Sequence, residues 1–297
     1  MIASAPAISL HLILPSCSAV VYVFAALFLK RASELGGDVW RTARVCNFAA
    51  ALAFCPLLFF GGAIPSAGLL WQPALVALLF VGGQVLTVLS LRIGDVSVAT
   101  PVMGLKIIFV AFFTTLILQA PLTGRLWIAA VLSSAALALL NIRPDQPHDR
   151  TGTTILLAAS AALCYALFDV LVQKWSPGWG MGCFLPVMMG MAALFSVLLP
   201  CSGAPQSPAP SRWMFAGAAC LALQALMLVS SIAFYAQATT ANVMYSARGM
   251  WSIVIIWLAG RWFGNTENRH GPRILAWRLL GAACLLAAIF IVLLAGG

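Results

Sequence analysis

Ten stretches of about 17 to 25 mostly apolar residues, each long enough to cross a hydrocarbon core of roughly 30 Å, occupy most of this chain. They run over 9–29, 45–61, 72–91, 96–119, 124–142, 154–173, 181–200, 213–236, 239–260 and 277–295. With 63% hydrophobic and 8% charged residues, against roughly 25% charged in a soluble domain, the bilayer is the solvent for most side chains. The expected fold is an all-α polytopic membrane protein of ten transmembrane helices. The first stretch is read as a retained helix, because no Lys or Arg precedes it and it is too long for an ordinary signal-peptide core.

A net charge of +9 raises the question of nucleic acid, but the basic residues form no solvated domain. They sort by side of the membrane instead. Loops in odd positions hold Lys30, Arg31, Arg41, Arg44, Arg92, Arg143, Arg150, Arg212, Arg261, Arg269, Arg273 and Arg278, whereas even loops hold Arg125 and Lys174 and the termini hold none. Cytoplasmic loops are enriched in Lys and Arg, so both chain ends are expected outside the inner membrane. Lys106 and Arg248 belong to neither side.

The sequence also repeats itself. AVVYVFAALFLKRA (19–32) lies on ALCYALFDVLVQKW (162–175) at an offset of 143, pairing Tyr22 with Tyr165. DVSVATPVMGLKIIFV (95–110) lies on QATTANVMYSARGMWS (237–252) at an offset of 142, which places Lys106 on Arg248. Five stretches per half is an odd number, so a second half at 148–297 enters the membrane from the side opposite to the first at 1–147. Inverted repeats of this kind occur in secondary transporters, with the substrate site near the midplane between the halves.

Lys106 lies about ten residues, or roughly 15 Å, into its stretch, and Arg248 is at matching depth. A charge at that depth costs about 2.5 to 3.5 kcal/mol on insertion scales and usually faces a bundle interior or a wet cavity. Two such cations need an anion. Asp169 is the carboxylate well inside an apolar run, and three arrangements are open: a structural Lys/Arg/Asp network, an anionic substrate bridging the cations, or Asp169 as a proton carrier. Against these stands a plainer reading, in which Pro101 and Gly104 break the fourth stretch and Lys106 snorkels to the interface, while Asp169 pairs locally with Lys174. Tyr165, Gln84, Gln224, Asn242, Tyr245 and Ser246 are candidate pocket residues, the last three because they lie within two turns of Arg248. Asn47 is a further polar residue inside a stretch, and Gly82 and Gly83 are expected to let helices approach closely.

Eight cysteines fall singly, with no CxxC pair or Cys/His cluster of metal-ligand spacing. They read as packing residues, with Cys201 the candidate surface thiol. No cofactor or metal is expected, and the absence of a His/Asp pair or carboxylate dyad in a loop argues against an enzyme.

SLRIGDVSVATPVMGLKIIFVAFFTTLIL, followed by APLTGRLWIAAVLSSAALALL, resembles the fourth and fifth spans of an EamA repeat, within the drug/metabolite transporter superfamily. That resemblance implies a basket-like helical fold and alternating-access transport of a small metabolite across the inner membrane. Two departures stand out. LQAPLT (118–123) lacks the acidic residue that usually follows the fourth span, and the charge distribution puts the termini outside where the family's are cytoplasmic. Lys106 and Arg248 are similar in kind to the phosphate-binding cations of the sugar-phosphate branch. The expected function is transport of a small organic or phosphorylated anion, with proton or counter-anion coupling through Asp169 as an option. Export of amino acids or other zwitterions, or flipping of a polyprenyl-phosphate-type lipid, is the alternative. The partners expected are the small-molecule substrate and membrane lipids, with no nucleic acid.

Overall fold

The computed structural model describes residues 10–93, 96–140, 151–200, 208–259 and 272–295. Cys201, His148, His270, residues 265–271 of the loop NTENRHGPR and the basic residues Arg143, Arg150, Arg261 and Arg269 lie outside the described residues. What is described is all-helical, as the apolar runs require: with no water in the hydrocarbon region, each backbone N–H and C=O must be satisfied within its own segment. The helices are α1 (Leu10–Glu34), α2 (Val39–Phe54), α3 (Trp71–Ile93), α4 (Val96–Met103), α5 (Lys106–Leu118), α6 (Gly124–Leu140), α7 (Thr151–Trp179), α8 (Met181–Ser196), α9 (Pro208–Tyr235), α10 (Ala238–Tyr245), α11 (Arg248–Ala259) and α12 (Pro272–Ala295). Among the described residues, six units are long and apolar enough to cross a membrane: 10–34, 39–60, 67–92, 98–118, 151–179 and 210–235. Shorter apolar helices cover 124–140, 181–196 and 279–294.

The fourth and ninth stretches are each two helices rather than one. α4 ends in a turn at Gly104 and Leu105, and α10 in a turn at Ser246 and Ala247. The physical cause in the first case is local: Pro101 lies inside α4, and a β-carbon on Gly104 would come within 2.9 Å of the Pro101 carbonyl oxygen. Both breaks stay hydrogen-bonded through tight turns. Gly104 N donates to Pro101 O (2.9 Å) and Ser246 N to Asn242 O (3.0 Å), while Ser134 Oγ of α6 donates to Gly104 O (3.0 Å). Freed backbone groups are thereby re-satisfied at membrane depth, as a broken helix there demands.

The helices pack in a definite pattern. α1 lies against α9, α10 and α11; α7 lies against α3, α4 and α5; α2 and α8 meet each other, and each also touches one of α9 and α3; α6 lies against α12. Gly83 permits the α3–α7 approach, since a β-carbon there would lie 3.0 Å from the Tyr165 ring, whereas Gly82 has nothing within 4 Å. Where the 3₁₀ turn Cys55–Phe60 meets the α7–α8 turn, backbones touch: a β-carbon on Gly182 would sit 2.2 Å from Gly61 O and 2.6 Å from Leu57 O.

Arg44 shows how a basic loop-side residue serves the fold. Its Nη2 donates to Val197 O (2.8 Å) and Leu199 O (2.9 Å), just past the end of α8. Terminal carbonyls of a helix lack intrahelical donors and carry partial negative charge. Arg44→Ala is expected to lower stability by about 1.5 to 3 kcal/mol, read as a fall in melting temperature in detergent. A change within experimental error would show that water replaces the guanidinium at no cost.

Candidate functional site

The two breaks position the two deep cations. Lys106 is the first residue of α5 and Arg248 the first of α11. Each therefore sits where one half-helix gives way to another, with its side chain directed among α1, α7 and α10 rather than along a continuous apolar face.

Lys106 is neutralised. Its Nζ lies 2.7 Å from Asp169 Oδ2 of α7 and 5.9 Å from the centroid of the Tyr165 ring. The same carboxylate oxygen accepts from Asn242 Nδ2 of α10 (2.7 Å), and Asn242 Nδ2 also donates to Ala238 O (2.9 Å). Asp169 is 1% exposed. One buried carboxylate thus ties α5, α7 and α10 together. The break foreseen by the plainer reading occurs, but its consequence differs: Lys106 finds Asp169 instead of the interface, and Asp169 pairs across helices instead of with Lys174.

Arg248 is held differently. Its Cζ lies 4.5 Å from the Tyr245 ring centroid and 5.0 Å from that of Tyr22, and the two rings meet edge to face at 5.9 Å. Among the described residues no carboxylate lies within ion-pair distance of it. Aromatic faces attract a guanidinium by about 2 kcal/mol or more when desolvated, and a planar N–H fork suits bidentate contact with an oxyanion.

The other candidates separate into two groups. Tyr165, Asn242 and Tyr245 join the cations. Gln84 instead forms a reciprocal amide pair with Asn47, 2.9 Å in both directions, between α3 and α2. Gln224 Nε2 donates to Ser18 Oγ (3.1 Å) between α9 and α1, and Ser246 Oγ turns back to Val243 O (2.5 Å). Gln84 and Gln224 are thus satisfied by polar side chains of neighbouring helices, and Ser246 by a carbonyl three residues back in the chain. Two residues escaped sequence reasoning. Tyr22 was visible only as the repeat partner of Tyr165, and Gln173 gave no signal; its Nε2 donates to Ala236 O and its Oε1 accepts from Ala238 N (2.9 Å).

Among the described residues no group of three His, Cys, Asp or Glu side chains is placed to hold a metal ion. The arrangement can bind charge and exchange ion partners.

Residues 9–142 match the EamA-like transporter family. The match marks the first half of the chain as EamA-like and agrees with the resemblance read from its fourth and fifth stretches. That match, together with the apolar helices, supports a multi-pass membrane protein similar to EamA-like transporters. No curated protein matches the sequence. A solved crystal structure, described simply as that of a protein, is similar over 96% of this chain and 98% of its own, with a TM-score of 0.68 at 14% identity. That likeness extends the shared fold beyond the EamA-like half to nearly the whole length.

Proposed function

We propose that the chain is a secondary transporter of small organic monoanions, built from two inverted five-helix halves and working by alternating access across the inner membrane. The inverted halves are supported by how the helices pack. Exchanging each element with its counterpart 142 or 143 residues away turns α1 on α9 into α7 on α3, α2 on α9 into α8 on α3, and α1 on α10 and α11 into α7 on α4 and α5, all of which occur. The breaks correspond too, at Gly104–Leu105 and Ser246–Ala247, and so do the cation–ring contacts, Lys106 on Tyr165 and Arg248 on Tyr22.

The observation that carries the substrate class is where this symmetry fails. Asp169 neutralises Lys106, but its counterpart in α1, 143 residues earlier, is Ala26. The Lys106, Asp169 and Arg248 set is left with one net positive charge beside two tyrosine rings. A single carboxylate or similar oxyanion matches it, bidentate on Arg248. The odd-loop basic residues support termini on the outer face.

The test is thermal stabilisation of the purified protein by carboxylates, phosphorylated metabolites, amino acids and polyprenyl phosphate, with Arg248→Gln and Arg248→Lys in parallel. Saturating ligand at about 100 times Kd adds about 2.7 kcal/mol. We expect small monoanions to give that stabilisation in the parent, a loss of at least about tenfold in affinity in Arg248→Gln, corresponding to 1.4 kcal/mol, and partial recovery in Arg248→Lys. Equal binding by parent and Arg248→Gln would remove the reading.

A further inference from the structure

We infer that a cavity one helical turn from the Lys106–Asp169–Asn242 tie is an outer station for the carboxylate end of the transported anion. This rests on the monoanion reading above for the class of ligand, but on a separate set of residues. The cavity has a volume of ≈ 260 Å³ and lies at the membrane face where α1 begins and α12 ends; His11, Thr114, Thr123, Gln173, Thr239 and Thr240 are among its lining residues. No Asp or Glu lines it.

Its floor is the start of α10. The first N–H groups of a helix have no intrahelical acceptor and favour anions. Here Ala238 N is taken by Gln173 Oε1 and Ala241 N by Gln237 O (2.9 Å), while the N–H groups of Thr239 and Thr240 between them donate to no described residue. Gln237, at the cap position, makes no side-chain cap bond. The independent observation is Thr240. It is only 8% exposed, lines the cavity, and its hydroxyl has no partner among the described residues. The neighbouring Thr239 hydroxyl is shared with Thr114 Oγ1 (3.3 Å). Two N–H donors and a free hydroxyl therefore belong to residues that line one cavity, with no Asp or Glu among its lining residues.

The position relative to the deep site gives the station its role. Ala238 and Thr239 line the cavity, and Asn242, which grips Asp169, is the next turn of the same helix, about 6 Å inward. Gln173 of α7 closes the same two helices at the rim that Asp169 closes one turn below. An anion seated on the α10 N-terminus stands directly outside the tie, and opening that tie would pass it toward Arg248.

The test uses the full-length purified protein carrying Thr240→Cys, and separately Gln237→Cys at the exposed rim in case the buried variant does not fold. Two methanethiosulfonate probes are compared by intact mass, one bearing a sulfonate and one a trimethylammonium group. Each rate is normalised to that of the same probe with free 2-mercaptoethanol, and adducts of the parent's own cysteines are subtracted. We expect the normalised sulfonate-to-ammonium ratio at the introduced thiol to be at least about tenfold above one, the selectivity of a site worth 1.4 kcal/mol. We also expect that ratio to persist with Arg248→Gln. A ratio at or below one in whichever variant folds, or no modification at either position, would overturn the station. Persistence alongside unchanged anion binding in Arg248→Gln would keep the station and remove the deep-site reading, so the two fail separately.

Discussion

Lys106→Met is expected to cost about 3 to 5 kcal/mol, the usual penalty for leaving one member of a buried ion pair uncompensated. Asp169 is 1% exposed, so removing the ammonium 2.7 Å away leaves a buried carboxylate to which, among the described residues, only Asn242 donates. Asp169→Asn should cost a similar amount by stranding Lys106, although the new amide oxygen still accepts from Asn242. The double variant Lys106→Met/Asp169→Asn should recover most of the loss, because replacing both charges by neutral groups removes the desolvation penalty along with the attraction. Melting temperatures of all four proteins in one detergent close the cycle. Two additive single effects would mean that the ions are individually hydrated and that the tie between α5, α7 and α10 does not hold those helices.

Gly182→Ala is expected to be at least as damaging, by about 3 kcal/mol or more. Its β-carbon would meet Gly61 O at 2.2 Å and Leu57 O at 2.6 Å, both backbone atoms. No rotamer change relieves a clash with main chain, so the 3₁₀ turn Cys55–Phe60 and the start of α8 must separate. Gly180 and Gly62 in the same junction have φ of 72° and 116°, where a side chain is strained as well. Gly190→Ala in the middle of α8 is the matched control, since nothing lies within 4 Å of its added methyl and helix propensity favours Ala by up to about 1 kcal/mol. If the two substitutions lowered the melting temperature equally, the close junction would not be a determinant of stability.

Much of the arrangement was legible before any coordinates. The apolar runs placed the helices to within a few residues, because insertion in lipid depends on local composition. The repeat alignment singled out Lys106, Arg248 and Tyr165 by depth alone. Asp169 was visible as a carboxylate out of place, but three roles for it were open, since sequence carries no distances. The polar residues inside the stretches show the limit most clearly. Asn47, Gln84, Gln224 and Asn242 look equivalent in the sequence, yet two of them satisfy each other, one meets Ser18, and only Asn242 reaches the ions. An amide in a span will take whichever partner its helix neighbour offers, and the neighbour is a property of packing.

The sequence by itself determined the membrane class and the approximate helices, and it offered an internal repeat alignment that pairs the two cations, because each depends on hydropathy, spacing or charge along the chain. The tertiary structure alone decided that the ninth stretch also breaks just before Arg248, that Asp169 closes on Lys106 and Asn242, and that Arg248 lies between Tyr22 and Tyr245 with no carboxylate in ion-pair reach among the described residues. The Lys106–Asp169, Asp169–Asn242 and Arg248–Tyr22 contacts turn on whether a group some 60 to 230 residues away in the chain comes within about 3 to 6 Å, the range over which hydrogen bonds, ion pairs and ring contacts act.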